Sequence, residues 1–332
     1  MTATARPILK IEGLTTALAG GAITILENVS FDLRPGEVLG VVGESGSGKS
    51  MLALSVMGLL PTAVRRTSGR IILDGEDLAG LPPERWRETR GSDLAMIFQE
   101  PMTALNPVMR VGSQVAEVLR RRGMPAGKAR QEAINLFRKV EIPSPEQRVR
   151  AYPHELSGGM RQRVMIAIAL AANPKVLVAD EPTTALDVTV QAQILDLLRK
   201  LQKERGLSLL FITHDLGVIA EIADRVLVLY AGRVAEIAPV RKIFDSPQHP
   251  YTRALLASIP EIDGSRGRLV AIEGAVPSID TMPKGCRYAP RCPFRHDICE
   301  REPPRLGLVS PDQAAACVQP FGFKQPQEEA LA

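Results

Sequence analysis

Short, continuous apolar runs recur through the first two thirds of the chain. Four of them, at Val38–Val42, 95–98, 176–179 and 207–213, are rich in valine, isoleucine, leucine and other apolar residues. Runs of this length without polar alternation are typical of strands that are covered on both faces. The segment 51–60 has instead the composition of a helix. The pattern therefore predicts an α/β fold.

The first predicted strand leads directly into a glycine-rich loop and then into the predicted helix. The loop matches G-x-x-x-x-G-K-[ST] in the strand–loop–helix context that this motif requires. Glycines allow backbone N–H groups to surround phosphates, and the start of the helix adds partial positive charge. The lysine suits the β- and γ-phosphates, and the serine hydroxyl suits Mg²⁺. The predicted nucleotide-binding residues are Gly43, Glu44, Ser45, Gly46, Ser47, Gly48, Lys49 and Ser50.

Two further predicted strands end in residues that suit phosphate chemistry. The strand at 176–179 is followed by Asp180 and Glu181, and the strand at 207–213 is followed by His214. In α/β folds, the carboxyl ends of the strands form the ligand-binding edge of the sheet. We therefore expect Asp180 to hold Mg²⁺ and Glu181 to act as general base toward the attacking water. His214 is expected to face the γ-phosphate.

Composition narrows the class of protein. The chain has 332 residues, a net charge of +4 and 45% hydrophobic residues, which fits a soluble globular protein of about two domains. The charge is too small to indicate a nucleic-acid partner. The longest apolar stretch, 164–172, has nine residues, whereas a membrane-spanning helix needs about 20. Because no signal-peptide pattern opens the sequence, we expect a protein that is not exported.

The part of the chain after Pro239 differs in composition from the rest. Thirteen of the 26 prolines lie from Pro239 onward, and all four cysteines lie within 286–317. We therefore predict a nucleotide-binding domain at 1–238 and a loop-rich C-terminal extension at 239–332.

The four cysteines are Cys286, Cys292, Cys299 and Cys317, and no two of them form a C-x-x-C pair. Disulfides are disfavoured in a protein that is not exported. The spacing leaves three alternatives open: an iron–sulfur cluster, a zinc site and free thiols.

The segment Leu156-Ser157-Gly158-Gly159-Met160-Arg161-Gln162-Arg163 precedes Asp180 by about 20 residues. Together with the phosphate loop, it resembles the signature of the ATP-binding subunits of ABC transporters. The resemblance implies a P-loop, RecA-like core with a helical subdomain at about 101–158. It also implies that Ser157, Gly158 and Gly159 contact ATP held by a partner subunit.

Three other residues match motifs of the same family. Gln99 matches the glutamine that lies near Mg²⁺ and the attacking water, His214 matches the switch histidine, and Asp187 matches the D-loop aspartate. Because every catalytic motif is intact, the resemblance implies an active ATPase that uses ATP and Mg²⁺. A subunit that binds ATP without hydrolysing it is disfavoured.

Segments outside these motifs resemble the peptide/nickel group of ABC importers. They are 96–107, 183–193, the run His249-Pro250-Tyr251-Thr252, and the surroundings of Cys286 and Cys292. The resemblance implies a subunit that powers import of di- or oligopeptides from the cytoplasmic face of the inner membrane. Its implied partners are a second, different ATPase subunit, two membrane permeases and an extracytoplasmic solute-binding protein. Import of another solute, such as a nickel chelate or glutathione, and a non-transport ABC ATPase are the alternatives.

The same resemblance implies a [4Fe–4S] cluster on Cys286, Cys292, Cys299 and Cys317. Because no ATP motif lies beyond Pro239, we expect ATP hydrolysis to depend little on this cysteine region.

One feature departs from the family pattern. The family usually has an aromatic residue before the phosphate loop that stacks on adenine, but residues 1–30 contain no Phe, Tyr or Trp. We expect adenine to rest on aliphatic side chains such as Leu18 or Ile25 instead.

Overall fold

The computed structural model describes residues 6–21, 23–184, 186–259 and 272–320. The strands in these ranges are β1 (Leu9–Leu18), β2 (Thr24–Leu33), β3 (Val38–Val42), β4 (Val64–Leu73), β5 (Glu76–Asp77), β6 (Leu94–Ile97), β7 (Val176–Asp180), β8 (Ser208–Ile212), β9 (Arg225–Tyr230), β10 (Arg233–Pro239), β11 (Gly307–Ser310) and β12 (Gln313–Ala315). The helices are α1 (Lys49–Val56), α2 (Pro83–Ser92), α3 (Pro101–Ala104), α4 (Val111–Arg121), α5 (Ala126–Lys139), α6 (Pro145–Arg148), α7 (Gly158–Ala171), α8 (Val188–Arg205), α9 (Leu216–Ile222), α10 (Val240–Asp245), α11 (Pro250–Ala257) and α12 (Asp297–Arg301).

A central sheet of eight strands has the order β11-β12-β10-β9-β3-β8-β7-β6. Its middle is parallel: β3 pairs with β8 and β9, and β7 pairs with β6 and β8. Strand β3 is buried along its whole length because its side chains alternate between two hydrophobic cores. Val38 and Val42 enter one core, and Leu39 and Val41 enter the other. Burial on both faces, as the apolar runs predict, is thus confirmed.

The four strands predicted from the apolar runs are β3, β6, β7 and β8, with ends that differ by at most one residue. The helix predicted at 51–60 begins earlier, at Lys49, and ends at Val56. It ends early because Gly58 has a φ of 60°, the left-handed conformation that commonly terminates helices.

A smaller antiparallel sheet, β2-β1-β4-β5, packs on one side of the central sheet. Leu9 and Leu26 of this sheet share a core with Leu39 of β3 and Leu52 of α1. The other core includes residues of α4, α5, α7 and α8. The segment 101–158, predicted to be a helical subdomain, contains α3 to α6. In the described ranges, no helix has both the length and the apolarity needed to cross a membrane.

The C-terminal extension joins the central sheet. β10 ends at Pro239, where the composition changes, and the chain then forms α10 and α11. Later it returns as the hairpin β11–β12, in which Ala315 and Ala314 pair with Glu236 and Ile237 of β10. The extension therefore completes one edge of the sheet. Its status as a separate domain at 239–332 stays a prediction.

Candidate nucleotide-binding site

The phosphate loop connects the carboxyl end of β3 to the start of α1. Gly46 and Gly48 have φ values of 78° and 102°, which residues with a side chain adopt only at a steric cost. At Gly48 the space is also filled, since a Cβ atom there would lie 2.9 Å from Leu26. The shape of the loop thus requires glycine at these two positions.

Lys49 lies over this loop and is only 6% exposed. Its Nζ donates hydrogen bonds to the carbonyl oxygens of Gly43, at 2.8 Å, and Glu44, at 3.0 Å. Burial lowers the pKa of Lys49, and the nearby carboxylates of Glu181, Asp180 and Glu44 oppose that shift. The ammonium group is therefore held over the phosphate loop, and in P-loop proteins the lysine of this motif reaches phosphate oxygens.

Ser50 and Asp180 form a pair suited to Mg²⁺. The Ser50 hydroxyl donates to Oδ1 of Asp180 at 3.4 Å. Asp180, the last residue of β7, is buried, and burial raises the pKa of its carboxyl, against the hydrogen bond from Ser50 and the charge of Lys49. P-loop ATPases hold Mg²⁺ between a loop serine or threonine and a strand-end aspartate. These two side chains could do the same.

Glu181 is the residue on which the other candidate catalytic groups converge. Its Oε1 lies 3.2 Å from Nδ1 of His214. Its Oε2 accepts hydrogen bonds from Nε2 of Gln99, at 3.1 Å, and Oγ1 of Thr184, at 2.8 Å. Its φ of 47° is left-handed, and such backbone strain is concentrated at functional sites. The carboxylate is thus held in one direction. Thr184 is a contact that the motif analysis does not assign.

A cavity of about 600 Å³ joins these groups. The predicted site residues that line it are Ser45, Gly46, Gly48, Lys49, Ser50, Gln99, Glu181 and His214. Ile25 and Met51 also line it, whereas Leu18 is not among its lining residues. Of the two aliphatic residues expected to support adenine, only Ile25 therefore lies at the cavity.

The signature residues open a different helix. Ser157 caps α7, and its hydroxyl accepts a hydrogen bond from the backbone N–H of Met160 at 3.3 Å. Gly158 and Gly159 form the first turn of α7 and do not line the cavity of Lys49. Asp187 caps α8 in the same way, accepting from the backbone N–H of Val190 at 3.0 Å. Ser157 and Gly158 are exposed, so the start of α7 could bind an anion from another molecule.

The four cysteines are brought together by the fold. They line one cavity of about 370 Å³, and none of them forms a disulfide. Burial raises the pKa of the Cys292 thiol to about 11. Within the part of the chain that the structure describes, however, no group of three or more His, Cys, Asp or Glu side chains is arranged to hold a metal ion. The iron–sulfur cluster expected from the resemblance is therefore not supported by the geometry and stays a prediction.

Two residues of the extension reach the phosphate loop and were missed by the motif analysis. The Tyr251 hydroxyl accepts a hydrogen bond from the backbone N–H of Glu44 at 2.8 Å. The Arg291 guanidinium makes two hydrogen bonds to the Glu44 carboxylate, at 2.8 and 3.0 Å. One sequence signal was present: an acidic residue inside a phosphate-binding loop calls for a basic partner.

Comparisons with known proteins agree with this geometry. Residues 26–184 match the family described as ABC transporter, and residues 235–299 match the family described as oligopeptide/dipeptide transporter, C-terminal region. A putative peptide import ATP-binding protein of Brucella abortus is 48% identical over 314 residues, 94% of each chain. The dipeptide transport ATP-binding protein DppD of Bacillus subtilis is 46% identical over 93% of this chain and 94% of its own.

Solved structures give the same result. A dimeric ATP-binding cassette in a post-hydrolysis state, bound to ADP and Pi, has a TM-score of 0.63 and 30% identity. It covers 70% of this chain and 99% of its own. CbiO1 of Clostridium perfringens, part of the ABC transporter complex CbiONQ, also has a TM-score of 0.63 and 30% identity, covering 72% of this chain and 91% of its own. The chain therefore belongs to the ATP-binding proteins of the ABC transporter family and carries the C-terminal region of the oligopeptide/dipeptide transporters.

Proposed function

We propose that this ABC ATPase powers the import of di- or oligopeptides. The observation that carries the proposal is the convergence of Gln99 and His214 on Glu181, beside the Lys49 loop, in one cavity. The solute class is taken from the matched C-terminal region and from relatives named as peptide import and dipeptide transport proteins.

The reaction is the transfer of the γ-phosphoryl group of ATP to water. Ser50, Asp180 and Gln99 would hold Mg²⁺, which supplies positive charge to the phosphate oxygens. The Lys49 ammonium also supplies positive charge to these phosphate oxygens. As the water oxygen bonds to the γ-phosphorus, the bond to the β-phosphate oxygen breaks, and Glu181 accepts the proton of the water.

Two exposed surfaces of the chain would contact partner proteins of the transporter. The exposed start of α7, at Ser157, Gly158 and Gly159, would cover ATP held by a second ATPase subunit, a different chain by the family resemblance. Phe98, Met102 and Val108, which surround Gln99 in sequence, are exposed apolar side chains. Large exposed apolar residues suit a protein contact. We assign them and the helical segment 101–158 to contact with one of the two membrane permeases. This contact would place the chain on the cytoplasmic face of the membrane, and the permeases would link it to an extracytoplasmic binding protein.

Uptake of a labelled dipeptide by cells that lack this chain tests the function. Reintroducing the chain should restore uptake, whereas Lys49→Ala should leave it at the level of the deletion strain. Lys203→Ala changes an exposed lysine of α8 and should behave as the unmodified chain. Val108→Asp should abolish uptake without loss of ATP binding if the apolar surface contacts the permeases. Uptake that is the same with and without the chain would contradict the peptide assignment.

We also propose that the four cysteines hold a [4Fe–4S] cluster. Four free thiols lining one cavity match the Cys₄ ligand set of such clusters. Since the described residues hold no group arranged for a metal ion, the proposal rests on the shared cavity and on the family resemblance.

Metal analysis of anaerobically purified protein tests the cluster. We expect brown protein with about four irons per chain, and loss of both colour and iron in Cys292→Ser. Stoichiometric zinc without iron would assign a zinc site instead, and protein without metal would leave four ordinary thiols.

A further inference from the structure

The C-terminal extension makes a direct contact with the phosphate loop. Arg291 is the last residue of the short 3-10 helix Ala289–Arg291. Its guanidinium binds both carboxylate oxygens of Glu44. Glu44 is the second residue of the loop, between Gly43 and Ser45. The backbone N–H of the same residue donates to Tyr251 at the start of α11. One loop residue is thus held at two points by side chains from beyond Pro239.

Arg291 is built into its position rather than lying free on the surface. Its side chain is 4% exposed. It donates to the carbonyl oxygen of Glu273, at 2.9 Å, and its guanidinium lies 5.8 Å and 6.0 Å from the ring centres of Tyr230 and Tyr288. A bidentate arginine–carboxylate pair with a fixed guanidinium is among the stronger and more directional contacts in proteins.

Tyr251 is equally constrained. It is fully buried, and its backbone N–H donates to Nδ1 of His249, which caps α11. Burial keeps its hydroxyl neutral by raising its pKa. The hydroxyl can therefore accept the N–H of Glu44 without adding charge to the loop.

A second route joins the extension to the same loop. Arg287, also buried, donates to the carbonyl oxygen of Ala231 in the β9–β10 turn. The next residue of that turn, Gly232, donates its N–H to the carbonyl oxygen of Ser47 at 2.8 Å. The extension thus supports both the first half and the second half of the loop.

Charge gives this contact a consequence for nucleotide binding. The carboxylate of Glu44 lies in a loop whose N–H groups are suited to a triphosphate, and like charges at short range oppose each other. The Lys49 ammonium also contacts the Glu44 carbonyl oxygen. The pair with Arg291 neutralises the charge of the Glu44 carboxylate. The carboxylate is therefore not left unpaired in a loop that binds phosphate.

We propose that Arg291 and Tyr251 are positioning residues of the phosphate site, which shape the loop and neutralise Glu44, so that the extension sets the affinity for ATP. This inference rests on the ATP site proposed above. It also differs from the expectation that ATP hydrolysis depends little on the cysteine region, because Arg291 lies in that region.

Equilibrium titration of the full-length chain with Mg-ATP tests the proposal. Arg291→Ala should weaken ATP binding about tenfold, equivalent to about 1.4 kcal/mol. Tyr251→Phe, which removes only the hydroxyl, should weaken it about threefold. Adding Glu44→Gln to Arg291→Ala should restore most of the affinity, because the phosphate loop then carries no unpaired negative charge. Arg301→Ala, an exposed arginine of the same extension, should match the unmodified chain.

The outcomes separate this proposal from the ATP site itself. If the unmodified chain binds ATP and Lys49→Ala does not, the ATP site stands. In that case, unchanged affinity in Arg291→Ala and Tyr251→Phe would overturn the positioning role. Weaker binding that Glu44→Gln fails to restore would also overturn it, since damage to the fold alone would not respond to the charge of residue 44.

Discussion

Glu181→Gln is expected to lower the rate of ATP hydrolysis by about 10²- to 10⁴-fold, the contribution of a positioned general base. Glutamine has the size and shape of glutamate, so the side chain should still fit between His214, Gln99 and Thr184. The amide cannot accept the proton of the attacking water. The variant should therefore bind ATP normally and accumulate in the ATP-bound form, bound to its partner ATPase.

The surroundings of Glu181 explain why a shorter acid should not replace it. Its two oxygens are divided between His214 on one side and Gln99 and Thr184 on the other. Aspartate at the same left-handed backbone position would withdraw the carboxylate from these partners. We expect Glu181→Asp to lose much of the hydrolysis rate, although it keeps a base.

Steady-state phosphate release by the assembled transporter measures both variants. Glu204→Gln makes the same chemical change on the exposed face of α8 and is the matched control. Hydrolysis by Glu181→Gln at the rate of the control would remove Glu181 from the role of base.

The residues at the centre of this site could be predicted from local sequence motifs. The phosphate loop, the strand-end acids and His214 are each fixed by a strand directly before them, and the parallel order of β3, β7 and β8 brings those strand ends together. The glycine pattern of the loop reflects backbone angles of the loop itself. These features depend on residues that are close in sequence, and the apolar runs that predict the strands also locate them.

Contacts between distant segments were not readable in this way. Arg291 is separated from Glu44 by 247 positions, and the hairpin β11–β12 returns to β10 after a long excursion. The extension could be recognised from its composition, because its content of proline and cysteine is higher than that of the rest of the chain. Composition does not show, however, what a segment packs against. For the same reason, the choice between Leu18 and Ile25 at the cavity depended on the register of the smaller sheet.

Gly158→Asp should abolish ATP turnover in the assembled transporter, a fall of at least about 100-fold, while the chain keeps its own ATP binding and stability. Gly158 is exposed in the first turn of α7, and a Cβ atom there would have only Leu186 nearby, at 3.7 Å. That is an ordinary contact, and an acidic residue in the first turn favours a helix by about 0.3–1 kcal/mol. These local contacts therefore predict no loss of stability in Gly158→Asp.

The loss must then come from a molecule that approaches Gly158 from outside. A triphosphate held by the partner's phosphate loop would meet an aspartate where the proposed site has N–H groups, and an uncompensated buried charge costs about 3–5 kcal/mol. Gly307→Asp introduces the same side chain at an exposed glycine of β11, outside the helical segment, where nothing lies within 4 Å of the added atom. The two variants should differ in ATP turnover, but not in ATP affinity measured by titration or in thermal unfolding. If Gly158→Asp hydrolyses ATP as fast as Gly307→Asp, the start of α7 does not cover the partner's nucleotide.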